Sequence, residues 1–390
     1  MSVVAPKVFF IVGEASGDIL GAQLMQALKP KQSQFIGVGG PSMEEQGLES
    51  ILPMTELCVM GIAEIIVQLP RLIKLINGVV NEIEKEQPDV VISIDLPDFN
   101  FEVAKRLKKR GIYQGKIIHY VAPSVWAWRP GRAQKISKFL DGIMCLFPFE
   151  PQYFEAHNLP AAYVGHPIIR EDHKNEYKEF RQLYDIGEDD FVFGIYLGSR
   201  ESEIKRHSQT FKDAVNFVLE QKPNAQILLP TLKEVETEAI ESMKGLNVNP
   251  ILVSNSKHKW MAMKNCNLAM AVSGTVGLEL SYMNVPHVIA YKTSFLTYLI
   301  VRILVKVRFA HLVNILLDKG VVPEFLQNKC KSIPIASELL RLIKDEALMA
   351  KQKVAFHDAR KLLQRDISGN PAEHAAEFVL QTLKQVNKPS

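Results

Sequence analysis

The sequence predicts an α/β protein of two doubly wound domains facing a cleft, and three observations carry that expectation. The chain has 390 residues, too many for one ordinary core and suited to two. Short, continuous apolar runs alternate with stretches of helical apolar spacing in two successive series. Such runs are strands buried on both faces, as in a parallel sheet covered by helices. Finally, the charged and polar stretch from His166 to Asp190 separates the two series and reads as a connection.

The first series opens with KVFFIVG, closed by Gly13, and continues with helical spacing from Asp18 to Leu28. QFIGVGG, DVVISID, GKIIHYVAP and DGIMCLFPF follow as further strands, rich in branched residues and bounded by turn chemistry. The second series is FVFGIYLGS, AQILLP, PILVS, LAMAVSG and HVIAY. These runs place the first domain at residues 1–170 and the second at 171–346. From about Ala347 to Lys388 the pattern is helical without a strand signal.

Composition narrows the function classes. With 47% hydrophobic and 23% charged residues the chain is ordinarily globular, and a formal net charge of +3 gives no global basic field for nucleic acid. Cys58, Cys145, Cys266 and Cys330 are widely spaced, which fits reduced thiols in a cytoplasm better than disulfides or a zinc site. The N-terminal apolar run is too short for a signal-peptide core and reads as a buried strand. The stretch from Phe295 to Leu317 is broken by Arg302, Lys306, Arg308 and His311, whereas a spanning helix needs about 20 mostly apolar residues. A cytoplasmic protein is expected.

Four constellations carry chemistry, each directly after a strand. In GEASGD (Gly13 to Asp18), glycines allow close backbone approach, and the following helix offers free N–H groups to an anion or a sugar hydroxyl. The same pattern also describes a tight turn with Asp18 near an N-cap. In DVVISIDLPDFN, a buried strand ends at Asp95 and Asp98, where a carboxylate beside Leu96, Pro97 and Phe99 can have its pKa raised toward that of a general base. A solvated loop carboxylate or a helix cap would look alike, and no nearby His or third acid completes a metal site. In LGSRESEI, Gly198 and Ser199 make a sharp turn and Arg200 can offer its planar fork to phosphate, or pair with Glu201 or Glu203 on the surface. In AVSGTVGLEL, Ser273, Gly274 and Thr275 open a helix whose positive end and hydroxyls suit a diphosphate without metal. Glu279, one turn in, can accept ribose hydroxyls; an ordinary capped turn is the plainer alternative.

GEASGDILGA, VMGIAEI, DLPDFN, HYVAPSVWAWRPGR, LFPFE, YVGHP, LGSR and SGTVGLEL occur in this order, from about Val8 to the end of the second domain. Together they resemble the lipid A disaccharide synthase family. The resemblance implies two Rossmann-like domains in the B-type glycosyltransferase arrangement, with the C-terminal helices, about 347–390, crossing back to complete the acceptor-binding first domain. It implies an inverting transfer of 2,3-diacylglucosamine from UDP to the 6-hydroxyl of 2,3-diacylglucosamine 1-phosphate, giving a β-1,6 disaccharide and UDP, with neither cofactor nor metal. Asp98 would be the base. From the residues themselves, Glu14, Ser16, Asp95, Trp128 and Arg129 are the acceptor-side candidates, since Trp126, Trp128, Arg129 and Arg132 beside the cleft suit a phosphorylated amphiphile, with plain packing as the alternative. Gly198, Ser199, Arg200, Ser273, Gly274, Thr275 and Glu279 would hold UDP, together with Asn314 and Glu324 in a further donor-side segment. The family's Leu-Pro-Gly-Ser-Arg segment is YLGSR here, without the proline.

Acylated substrates imply work at the cytoplasmic face of the inner membrane. In CVMGIAEIIVQLPRLIKLI, the residues Val59, Met60, Ile62, Ile65, Ile66, Leu69 and Leu72 exceed the apolar needs of one helix face and are expected to contact lipid. FLTYLIVRILVKVRF, with Arg302 and Lys306 four apart, is a second candidate, and core packing is the alternative for both. The sequence leaves oligomeric state open, a homodimer included. Two other functions share the expected fold. The transferase that glycosylates the peptidoglycan lipid precursor should carry a Gly-Gly-Thr-Gly-Gly-His loop near its first strand, where this chain has GEASGD. A UDP-N-acetylglucosamine 2-epimerase would need no acceptor and no apolar patch.

Overall fold

A computed structural model describes residues 5–57, 62–128, 131–169, 177–293, 307–365, 367 and 369–384, with only the backbone of 62–68 and 177–178. The chain divides into two compact units, Met1–Ile169 with Leu363–Ser390, and Arg170–Leu362.

In the first unit, β1 (Lys7–Val12), β2 (Gln34–Val38), β3 (Glu49–Ser50), β4 (Val90–Ile94), β5 (Lys116–Tyr120), β6 (Gly142–Cys145) and β7 (Ala161–Tyr163) form one parallel sheet. Its order is β3-β2-β1-β4-β5-β6-β7. The helices are α1 (Ala15–Leu28), α2 (Pro41–Glu44), α3 (Ile62–Glu86), α4 (Pro97–Arg110), α5 (Gly131–Ile136) and α6 (Pro151–Glu155). Strand alternation splits the apolar residues between two layers. Phe9, Ile11, Val91 and Ile117 face a core shared with Val79, Val80 and Ile83 of α3 and Val103 and Leu107 of α4. Val8, Phe10, Ile92 and Ile118 face the other core, with Leu24 and Leu28 of α1 and with Ala375 and Val379 of the C-terminal helix Pro371–Lys384.

The second unit repeats this logic. β8 (Val192–Tyr196), β9 (Gln226–Pro230), β10 (Ile251–Val253), β11 (Leu268–Ala271), β12 (His287–Tyr291) and β13 (Glu324–Leu326) form a parallel sheet in the order β10-β9-β8-β11-β12-β13. Its helices include α7 (Tyr177–Leu183), α8 (Glu201–Gln221), α9 (Glu236–Ser242), α10 (Lys259–Asn265) and α11 (Thr275–Tyr282). Phe193, Ile195 and Leu229 pack on Phe211 and Val215 of α8, while Val192, Leu228 and Ala269 pack on Ala262 and Met263 of α10. Both sheets are doubly wound, and their strand order reverses between β1 and β4 and between β8 and β11. Ligands of such sheets sit beyond the carboxyl ends of the strands at the reversal.

Several features differ from the sequence reading. The segment after residue 176, read as connection, is α7, with Phe180 buried and the buried Arg181 donating through Nε to Asn265 Oδ1 at 3.0 Å. The helix Glu346–Gln364 runs on in the second unit to Leu362, where the sequence places the return at about 347. That helix ends at Gln364, and the next begins at Pro371, where Asn370 Oδ1 accepts from Ala372 N at 3.0 Å.

In α3, Leu69 and Ile73 are 48% and 40% exposed, whereas Ile76, Val79, Val80 and Ile83 are buried. Leu72, expected at lipid, packs against the core instead, because it falls on the face carrying Ile76 and Val79. Val59 and Met60 lie outside the described residues, as do Arg302 and Lys306, and the side chains of Ile62, Ile65 and Ile66 are likewise undescribed. Among the described residues, no helix is long and apolar enough to cross a membrane.

Candidate active site

In the first unit two constellations meet at the reversal between β1 and β4. β4 ends in two successive non-glycine residues with left-handed backbone, Asp95 at φ 53° and Leu96 at φ 46°. Residues held there cost on the order of 1–3 kcal/mol each, so their surroundings must impose the conformation. Asp95 N donates to Tyr120 O at 3.0 Å, Leu96 N to Asp95 Oδ1 at 2.9 Å, and Asn100 Nδ2 to Asp95 O at 2.7 Å. The Leu96 side chain then lies over Gly13, where an added Cβ would come within 2.7 Å of Leu96 Cδ2. Gly13 therefore lets the turns after β1 and β4 touch, and GEASGD and DLPDFN become neighbours.

Glu14 stands at the N-cap position of α1, and Ser16 is exposed in the first turn. Asp18 is not an N-cap of its own helix. Its buried carboxylate accepts from Gly40 N (2.9 Å), Ser42 N (2.9 Å) and Met43 N (3.1 Å), and so it caps α2.

The expected desolvation of an acid is found at Asp95. Burial raises its carboxyl above the usual range, opposed by the hydrogen bond from Leu96 N. Asp98 follows Pro97 in the first turn of α4, and its side chain is 97% exposed. Arg132 Nη2 donates to Asp98 Oδ1 at 3.0 Å, and the guanidinium lies 5.2 Å from the centre of the Phe101 ring. Trp128 is half-buried, and Arg129 lies outside the described residues.

Sequence reading missed two side chains here. His119, on β5, is fully buried with Nδ1 2.8 Å from Ser93 Oγ and its ring edge-on to Phe101. Burial, with the Arg132 charge acting the same way, pushes it down to about 3, so the imidazole is neutral. Glu150 is buried in the turn after β6 and accepts from Trp126 Nε1, Leu146 N and Phe147 N, each at 3.0 Å. Burial raises it to about 7 against those three donors. The LFPFE motif contained Glu150, yet nothing in its spacing announced a hold on Trp126.

In the second unit the other two constellations flank the reversal between β8 and β11 and line one cavity of about 850 Å³. That is in the range for a small-molecule site. Gly198 has φ 107°, a backbone conformation that residues other than glycine rarely adopt, so the turn calls for glycine. Ser199 and Arg200 are exposed, with Arg200 at the N-cap position of α8. Ser273, Gly274 and Thr275 lead into α11. An added Cβ at Gly274 would meet nothing within 4 Å, so packing within the chain does not explain this glycine. Glu279 also lines the cavity, but with its Oε1 2.6 Å from Lys259 Nζ. Lys259 was not foreseen.

Asn314 and Glu324 are not brought to this cavity. Asn314 is fully buried: its Oδ1 accepts from Val321 N and Val322 N at 2.9 Å, and its Nδ2 donates to Val322 O and Glu324 Oε1 at 2.8 Å. Glu324 also accepts from Ala310 N and His311 N. With its polar atoms all engaged by the chain, Asn314 ties Val321 and Val322 to Glu324. Among the described residues, no group of three or more His, Cys, Asp or Glu is placed to hold a metal ion.

Comparison with known proteins settles the family. The model for the lipid-A-disaccharide synthetase family matches residues 8–379. The lipid-A-disaccharide synthase of Rhodospirillum centenum is 39% identical over 381 residues, covering 96% of this chain and 94% of that protein. Among solved structures, the glycotransferase of kitacinnamycin has a TM-score of 0.66 at 13% identity, covering 97% of this chain and 99% of that one. The UDP-GlcNAc 2-epimerase of Neisseria meningitidis bound to UDP-GlcNAc has a TM-score of 0.62 at 12% identity, covering 97% and 100%. A transferase and an epimerase thus share the fold, which alone does not choose between them. The sequence does: this chain belongs to the lipid-A-disaccharide synthetase family.

Proposed function

We propose that this chain performs the family's inverting transfer with Asp98 as general base and UDP seated in the second-unit cavity. The 6-hydroxyl of 2,3-diacylglucosamine 1-phosphate gives its proton to Asp98 while its oxygen attacks the anomeric carbon of UDP-2,3-diacylglucosamine. The bond from that carbon to the diphosphate oxygen breaks, and its electron pair leaves with UDP. Attack from the face opposite UDP gives the β-1,6 linkage.

Arg200 and the positive end of α11 meet the charge that grows on the diphosphate. Gly198, Ser199, Ser273, Gly274 and Thr275 bring backbone and hydroxyl donors to the same group, and Glu279 accepts ribose hydroxyls. On the acceptor side, Arg132 orients the Asp98 carboxylate. Glu14, Ser16 and Asp95 take sugar hydroxyls, and Trp128 and Arg129 receive the phosphorylated amphiphile. Because the substrates are acylated, the outward residues Leu69 and Ile73 of α3 rest on the cytoplasmic surface of the inner membrane.

One observation chiefly supports this reading. All four constellations follow the strands that flank the two chain reversals, where doubly wound sheets bind ligands. Incubation with the UDP-diacylglucosamine donor, with and without acceptor, tests it by mass spectrometry of the products. Disaccharide 1-phosphate and UDP are expected only when acceptor is present. An epimerised sugar nucleotide formed without acceptor would overturn the reading.

A further inference from the structure

Lys259, the first residue of α10, reaches across to α11, so that its Nζ lies 2.6 Å from Glu279 Oε1. The same ammonium lies 5.3 Å from the centre of the Trp260 ring, a second contact that limits its freedom. Both members of the pair line the donor cavity, with Glu279 17% and Lys259 41% exposed. The cavity's charged residues are Arg200, Lys233 and Lys259 against Glu203, Glu234 and Glu279. The three cations balance the three carboxylates, and removing Lys259 would leave an excess of negative charge. A partly desolvated pocket of that sign repels a diphosphate.

From this geometry we infer that Lys259 is a positioning residue that sets nucleotide specificity. Its ammonium cancels the Glu279 charge and occupies Oε1, which leaves Oε2 as the oxygen available to ribose hydroxyls. The pair thereby makes the cavity select a ribonucleoside diphosphate over one lacking those hydroxyls. This inference rests on the reading that Glu279 accepts the ribose.

Calorimetric titration of UDP and 2′,3′-dideoxy-UDP into the full-length protein tests it. The wild type should prefer UDP by roughly ten- to a hundredfold, the effect of losing hydrogen bonds to a charged acceptor. Lys259→Met should weaken UDP and bring the two affinities close together, and Lys259→Arg should restore most of the preference. A merely structural lysine would move both ligands alike and leave their ratio unchanged. Should the methionine variant fail to fold, Lys259→Gln answers the same question. A wild type that binds both ligands equally would defeat the ribose reading of Glu279 and the inference with it. A clear wild-type preference that persists undiminished in the folded Lys259 variant would defeat the inference alone.

Discussion

Arg132 Nη2 lies 3.0 Å from Asp98 Oδ1 although the Asp98 side chain is 97% exposed. Exposed ion pairs contribute little to stability, so this one is better understood as orienting a carboxylate. Its guanidinium is further fixed over Phe101. Arg132→Met should therefore leave the thermal midpoint close to wild type while kcat falls by roughly ten- to a hundredfold, as misplacement of a reacting group does. A variant with unchanged kcat would detach Arg132 from the chemistry.

Arg200 stands at the head of α8 beside the cavity. If its fork meets the leaving diphosphate, Arg200→Lys should lose activity on the order of ten- to a hundredfold, because a point charge lacks the bidentate geometry. Wild-type kcat/KM in the lysine variant would remove Arg200 from the site. The same mechanism needs no metal, so activity should persist in excess EDTA. A loss restored by magnesium would contradict it.

Glu150 offers a pH test. Its folded pKa of about 7 is raised by burial above the ordinary 4.5. It therefore contributes stability that is fully present below about pH 4.5 and lost as pH rises through about 7. The gap corresponds to about 3 kcal/mol between the two extremes. Glu150→Gln cannot ionise, so its thermal midpoint relative to wild type should rise between pH 5 and pH 8. A difference that stayed flat across that window would show that Glu150 does not titrate there.

The outward side of α3 separates lipid contact from core packing. Leu69→Ser with Ile73→Ser should weaken co-sedimentation with anionic vesicles and leave the circular dichroism spectrum unchanged. Leu72→Ser is the contrasting control, since Leu72 packs against the core and its loss should lower stability. If the outward pair unfolded the protein while vesicle binding survived in what remained folded, the helix would be a packing element only.

Much of this architecture was legible because long buried strands announce themselves. KVFFIVG and DVVISID are continuous apolar runs, and each became a central strand with a constellation at its end. The edge strands β3, β7 and β13 are two or three residues long and only partly buried, too short to show a period. Residues that line the second-unit cavity, such as Arg200 and Gly274, could be read from strand-end motifs. Lys259 and Glu150 could not, because their partners Glu279 and Trp126 are 20 and 24 residues away and only the fold joins them. Asn314 was named only from the family resemblance, and its four hydrogen bonds to Val321, Val322 and Glu324 likewise come from residues that only the fold assembles.

The claim on which the mechanism depends is that Asp98 takes the acceptor proton. Asp98→Asn keeps the shape and removes the basicity, so the decisive measurement is kcat and UDP affinity of this variant beside Asp95→Asn. A positioned general base commonly contributes on the order of a hundred- to ten-thousandfold. The account predicts a fall of that size in kcat for Asp98→Asn, with UDP affinity, seated in the second unit, nearly unchanged. Asp95→Asn should be the milder variant. Near-normal turnover in Asp98→Asn, with activity abolished in Asp95→Asn, would contradict the assignment and move the base to the buried carboxylate.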